Sequence, residues 1–206
     1  MRNRNFIPFM FLFAALAGCA ATAPSAPRHG AAFPSTIALL PFENESLDLR
    51  APEILRDLLD TYLSAANFNL TDVKEAEEKI HGIGIQEGGQ LNAVTPQKLG
   101  ALLGADALLY GDIETFNNAN IGVYAQRTVK VSLRLVDAKT GKTLWETEKS
   151  KANSELGLSK AAAKNIALKG YATKAAENLA DNPLYPESED VVRLLVRELG
   201  KARRDW

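Results

Sequence analysis

Val129-Lys130-Val131-Ser132-Leu133-Arg134-Leu135-Val136-Asp137-Ala138-Lys139-Thr140-Gly141-Lys142-Thr143-Leu144-Trp145 is the stretch that decides the fold. Val129, Val131, Leu133 and Leu135 alternate with Lys130, Ser132 and Arg134, so a strand here buries one face and wets the other. The polar run from Asp137 to Lys142, with Gly141 supplying a positive φ, turns the chain into a second strand over 143–149, through Trp145. An antiparallel hairpin results.

Upstream, residues 107–116 read as a further strand with Leu109, Gly111 and Ile113 on one face. Thr95-Pro96, a cap followed by proline at the first helical position, opens a helix that Gly104 ends, and Asp106 precedes the strand. The continuous apolar run Thr36-Ile37-Ala38-Leu39-Leu40-Pro41-Phe42 predicts a strand buried on both faces. A helix is predicted from near Pro52, with Ile54, Leu55, Leu58, Leu59, Tyr62 and Leu63 on one stripe and Arg56, Asp57 and Asp60 opposite. Phe68-Asn69-Leu70 would complete a βαβ unit. Asp72 and Glu75 fit a capping box for a short helix through Ile80, and the Gly-rich segment 81–93 predicts a loop. Downstream, the Ala-rich stretch 154–181, stopped by Pro183, predicts a long helix. Ser188 would cap a last helix carrying Val191, Val192, Leu194, Leu195 and Leu199 and ending in Lys201, Arg203 and Arg204. The fold class is therefore α+β: a small mixed β-sheet with a βαβ start, an antiparallel hairpin and packed helices.

The N-terminal end reads as an address. Arg2 and Arg4 precede an apolar stretch from Phe6 to Ala17, too short to span a bilayer, which takes about 20 residues. Leu16-Ala17-Gly18-Cys19 fits a bacterial lipobox, so 1–18 is expected to be a lipoprotein signal peptide and Cys19 the site of acylation, palmitate included. Two or more acyl chains hold a protein durably on a membrane, whereas one binds reversibly. Residues 19–35, after the cysteine almost wholly Ala, Pro, Ser and Gly, are expected to be a flexible tether that reaches about 50 Å when extended. Residues 36–206 then form a single domain. Cys19 is the only cysteine, so no disulfide staples that domain, and stability rests on an ordinary core. Cleavage removes Arg2 and Arg4 and leaves 22 basic against 25 acidic residues. That charge argues against nucleic-acid binding.

Catalytic motifs are missing. Gly141-Lys142-Thr143 resembles the end of a phosphate-binding loop, but the glycine required five positions earlier is Val136. Gly82-Ile83-Gly84-Ile85-Gln86-Glu87 fails a dinucleotide fingerprint at Glu87. His81 is the one histidine of the domain, which rules out a two-histidine zinc site there and leaves no nucleophile motif beside it. No cofactor and no metal are expected. Glu77 and Glu78 read as a solvated helix face. Glu43, Glu45 and Asp48, just past the first strand, hold the best position for a site, with a polar loop as the plain reading. The sequon Asn44-Glu45-Ser46 means little in a bacterial chain.

Three blocks carry a resemblance: Ile37-Ala38-Leu39-Leu40-Pro41-Phe42-Glu43-Asn44, then Leu99-Gly100-Ala101-Leu102-Leu103-Gly104-Ala105-Asp106-Ala107-Leu108-Leu109-Tyr110-Gly111-Asp112-Ile113, then the stretch from Leu133 to Glu146. They resemble bacterial lipoproteins of domain of unknown function seven-ninety-nine and, more distantly, the periplasmic N-terminal domain of TolB, the curli-secretion lipoprotein CsgG and the penicillin-binding-protein activator LpoB. The resemblance implies a fold and no activity. A CsgG-like membrane hairpin would need strands of about 9–11 residues each. Only twelve residues separate Phe116 from Val129, among them Asn117, Asn118, Asn120 and Arg127, so a pore is not expected.

The reading that follows is a non-enzymatic, lipid-anchored envelope protein, on the periplasmic side of the outer membrane, that serves as an assembly, adaptor or scaffold component. Its partners are the membrane, through the lipid, and an unidentified envelope protein; homo-oligomers are open. A regulator of a cell-wall synthase, as in LpoB, and a periplasmic hydrolase built on Glu43, Glu45, Asp48 and His81 are the alternatives. Candidate interface residues are Ile121 and Tyr124, in a loop expected over 117–126, and the tail residues Arg203, Arg204 and Trp206.

Overall fold

The computed structural model describes residues 32–121, 123–156 and 182–206. The expected signal peptide with Leu16, Ala17 and Gly18, the expected acylation site Cys19, most of the expected tether and residues 157–181 of the expected long helix lie outside the described residues.

The elements are β1 (Ile37–Leu39), β2 (Glu43–Asn44), α1 (Ala51–Ala65), α2 (Val73–Gly82), a 3-10 turn (Gly88–Ala93), α3 (Pro96–Leu103), β3 (Ala107–Asn120), β4 (Tyr124–Asp137), β5 (Thr143–Leu156) and α4 (Tyr185–Arg204). The sheet order is β1-β3-β4-β5, with β2 also on β3; β1 and β2 run parallel to β3, and β3, β4 and β5 form an antiparallel meander. The α+β class and the mixed sheet agree with the sequence pattern. Among the described residues no helix is long and apolar enough to cross a membrane.

Side-chain alternation builds two cores. Ile37, Leu39, Leu109, Ile113 and the odd residues of β4 from Val129 to Leu135 pack under α1 and α4, against Leu55, Leu59, Val191 and Leu195. Ala38, Leu40, Leu108, Tyr110 and Val136 point the other way, against Ile80, Leu99 and Leu103 of α2 and α3. β1 is therefore buried on both faces, as its unbroken apolar run requires. Truncating a fully buried leucine such as Leu59 to Ala would cost about 2–5 kcal/mol.

Local signals held where the backbone is constrained. Gly104 ends α3 at φ 66°, Gly141 turns the hairpin at φ 72°, and the Asp72 carboxylate accepts from the Glu75 amide at 2.8 Å. The boundaries moved elsewhere. The first apolar run is two short strands, since Pro41 has no N–H to donate to a ladder. Phe68-Asn69-Leu70 contributes only a bridge from Leu70 to Ile37. Segment 81–93 contains the 3-10 turn, and Thr95 makes no side-chain cap. α4 starts at Tyr185, and Ser188 is buried, its hydroxyl donating to the Leu184 carbonyl at 2.7 Å.

The largest correction is the hairpin. β3 runs to Asn120, β4 begins at Tyr124 and β5 reaches Leu156, so residues expected as loop at 117–126 and as helix at 154–156 are mostly strand. Polar side chains such as Asn118 and Arg127 hid the pattern, because strand pairing on both sides of β4, and not apolar burial, holds this part.

Candidate functional site

β1, β3 and the chain entry at Phe33 define one pole of the domain, and the β3–β4 turn defines the other. β3 rises about 43 Å between them at roughly 3.3 Å per residue.

The entry pole is closed by its own residues. The Phe33 ring meets Trp206 edge-on at 5.2 Å and tilts against Phe68 at 6.1 Å. Arg203 lies over Phe68 at 4.0 Å and donates to the carbonyls of Asn67 (2.9 Å) and Ala66 (3.1 Å), satisfying acceptors at the end of α1. Arg203 and Trp206, expected as interface residues, are thus engaged in holding the tail to the body. Phe33 belongs to the body although its neighbours read as tether. Arg204, exposed, lies on the last turn of α4.

The opposite pole is an arm. Ile121 is 73% exposed, Val123 and Leu156 are also exposed, and Tyr124 is partly buried beside Leu156 across the β4–β5 ladder. Ile121 and Tyr124 therefore stand together at the tip. Below it, the Glu187 carboxylate, 1% exposed in the first turn of α4, accepts from Arg127 (2.9 Å) and Asn153 (2.6 Å). Burial alone would push the Glu187 carboxyl up, but the hydrogen bonds from Asn153 and Arg127 outweigh it and hold the group below its ordinary value. Lys151 adds an ion pair to Asp190 at 3.0 Å. This clasp fixes the arm to α4, and sequence reading missed it because its partners lie on three separate elements.

A cleft of about 410 Å³ opens where the 3-10 turn meets the wet face of the sheet, lined by Glu43, Glu45, Asp112, Glu114, Ser132 and Arg134 among others. Its wall is a close contact: a Cβ on Gly88 would sit 2.2 Å from the Phe42 carbonyl carbon. Arg134 lies over the Tyr110 ring at 4.8 Å, and Lys130 bridges Glu114 (2.5 Å) and Glu148 (3.0 Å). Burial, and then the neighbouring Glu43, push the Asp112 carboxyl up, against the pull of Arg134. Alternation in β3 carried the signal for Tyr110, Asp112 and Glu114, which oppose the apolar face of that strand.

Of the four residues weighed for hydrolysis, the structure brings Glu43 and Glu45 into this cleft. Asp48 instead orders the next loop, accepting from the Arg50 amide at 2.9 Å. His81 is on α2, 3.9 Å from Glu77, and does not line the cleft. Glu77 itself pairs with Arg56. Among the described residues no group of three His, Cys, Asp or Glu side chains is placed to hold a metal.

Known proteins match this architecture. A putative lipoprotein of Neisseria meningitidis serogroup B, NMB1124/NMB1162, is 30% identical over 112 residues, 54% of this chain and 52% of that protein, so the chain spans about half the length of the curated relative it matches. The crystal structure of lipoprotein GNA1162 from N. meningitidis superposes with a TM-score of 0.55 at 25% identity, covering 70% of this chain and 99% of that one. The C-terminal domain of LpoB from Salmonella enterica gives a TM-score of 0.43 at 17% identity, over 60% of this chain and 86% of that one. The family model described as "Putative lipoprotein GNA1162-like" matches residues 28–198, and the chain belongs to that family.

Proposed function

We propose that this chain is a lipid-anchored envelope protein that works by contact and not by catalysis, tethered through Cys19 to the periplasmic face of the outer membrane and presenting its arm to an envelope partner. The observation that carries the reading is the opposition of the two poles. The chain enters beside Phe33, where the tether ends, and the arm leaves from the other end of β3.

Acting as the proposed tether, a chain of the length from Cys19 to Phe33 would span roughly 20 Å root-mean-square, while β3 runs about 43 Å from the entry pole to the tip. The anchored domain therefore offers the arm more readily to a partner in the periplasm than to its own bilayer. Membership of a lipoprotein family supports the anchor, and the separation of His81 from Glu43 and Glu45 supports a role without hydrolysis.

The test is complementation of a deletion by Cys19→Ala, together with mass spectrometry of the mature amino terminus. Loss of function with an acylated wild-type terminus is the expected result. Full complementation by the unacylated form would overturn the reading.

A further inference from the structure

The two outer edges of the sheet differ. β5 is a full-length edge strand whose side chains include Glu146, Glu148, Lys149, Lys151 and Glu155, the kind of charges that discourage pairing with another strand. β3 is different. β1 and β2 cover it only as far as Ile113, and its last ladder contact on that side is the Glu45 amide donating to the Ile113 carbonyl at 3.0 Å. Beyond Glu114 the edge continues as Thr115, Phe116, Asn117, Asn118 and Ala119 with no charge, no proline and, among the described residues, no strand beside it.

Among the described residues, the ladder shows which groups are open. Ile113 turns its carbonyl to β2, so the Ile113–Val131 pair is not a hydrogen-bonded one. Phe116 opposite Val129 and Asn118 opposite Arg127 lie two and four residues further along β4 and share that phase. Their amides and carbonyls therefore point away from β4, whereas those of Asn117 point into the ladder. Next to this edge, Asn44 and Ser46 order the loop after β2: the Asn44 carboxamide accepts from the Ser46 amide (3.0 Å) and donates to the Asp48 carbonyl (3.0 Å). That ordered loop holds Leu47 and Leu49 at 100% and 89% exposure.

We propose that the β3 edge from Thr115 to Ala119 receives an extended segment of a partner protein, adding a strand to the sheet, with apolar side chains at alternate positions that meet Leu47 and Leu49. A row of open backbone donors and acceptors recognises a peptide strand, and alternation supplies the side-chain contact. The proposal rests on the contact-based reading above and names the surface it uses.

The experiment compares Asn118→Pro with Asn118→Ala in the full-length lipidated protein. The Asn118 amide is outside the ladder, so proline leaves the fold intact and removes only the open donor. The expected result is a melting temperature within about 2 °C of wild type for both, loss of complementation for proline, and wild-type function for alanine. Leu47→Asp with Leu49→Asp is expected to lose function as well. Labelling of a unique thiol at Asn118→Cys should slow at least 10-fold in intact cells relative to purified protein, with Ser150→Cys unchanged. Full function of a folded Asn118→Pro protein, or slowing only at Ser150→Cys, overturns the proposal while leaving the anchored-adaptor reading to its Cys19→Ala test. Purified protein that dimerises in sedimentation and loses the dimer in Asn118→Pro would replace the partner with a second copy and overturn it too.

Discussion

Replacing Arg127 with alanine tests the clasp that joins the arm to α4. The change leaves the Glu187 carboxylate, 1% exposed, with Asn153 as its remaining side-chain donor. Removing one member of a buried ion pair costs about 3–5 kcal/mol. Arg127 keeps a third of its side chain in solvent and Asn153 stays, so the lower end, about 3 kcal/mol, applies. For a domain of this size each kcal/mol moves the midpoint by roughly 2–4 °C, which gives a fall of about 6–12 °C in a thermal melt. Replacing both charges, Arg127→Met with Glu187→Leu, should recover most of the loss, because no uncompensated charge is then buried. The pH dependence has a definite sign. The folded Glu187 carboxyl lies below its ordinary value, so its stabilisation is complete above the unfolded value, near pH 4, and disappears as pH falls through the folded one. Glu187→Gln should flatten the acid limb of the stability curve. A midpoint for Arg127→Ala within about 1 °C of wild type, or an acid limb unchanged by Glu187→Gln, would refute the reasoning.

Three further outcomes are expected. Asp112→Asn should raise the melting temperature at pH 7: the folded carboxyl is pushed up by burial and then by Glu43, so the wild type loses stability as pH rises from the unfolded value through the folded one, and the variant should not. Calorimetry across pH 3–7 checks this (~4 being the unfolded value). Gly88→Ala should destabilise by about 1–3 kcal/mol in denaturant titration, since its Cβ would meet the Phe42 backbone and force the 3-10 turn off the sheet. Trp206→Ala should cost about 1–3 kcal/mol and speed amide exchange near Phe33 and Phe68, while leaving exchange at Arg127 and Asn153 unchanged.

Legibility in the sequence tracked burial. Where one side of an element is apolar, the pattern located it: the alternation from Val129 to Leu135, the stripe of α1 and the two-sided run of β1 all lie where periodicity put them. The far half of the meander was not legible, because Asn117, Asn118, Arg127, Asn153 and Glu155 carry no apolar alternation. Their strand state comes from pairing between chain segments remote in sequence. The same reason hid the clasp. Glu187 reads as a first-turn helix acid suited to the dipole, and only the register of β4 against β5, which sets Arg127 opposite Asn153, shows that it is buried. In the cleft, Glu43 and Glu45 were found by their position past the first strand, whereas Arg134 read only as a solvated strand residue. Tertiary approach of the 3-10 turn, permitted by Gly88, made it a wall.

The two poles are connected by one element. α4 is about 30 Å long at roughly 1.5 Å per residue, with Glu187 in its first turn held by the arm and Arg203 in its last turn held to the end of α1, where Phe33 packs on Phe68 and Trp206. A displacement of the chain at Phe33 therefore meets Trp206, Phe68 and the C-terminal end of the helix before it can reach the sheet edge. Because Val191, Val192, Leu195 and Leu199 seat α4 on the first core along its length, that load meets a packed surface and not a hinge. A domain built this way keeps the β3 edge and Leu47 and Leu49 in fixed relation. An edge that recognises a strand by backbone hydrogen bonds depends on such rigidity, since each donor must stay within a few tenths of an ångström of its acceptor for the bonds to form together.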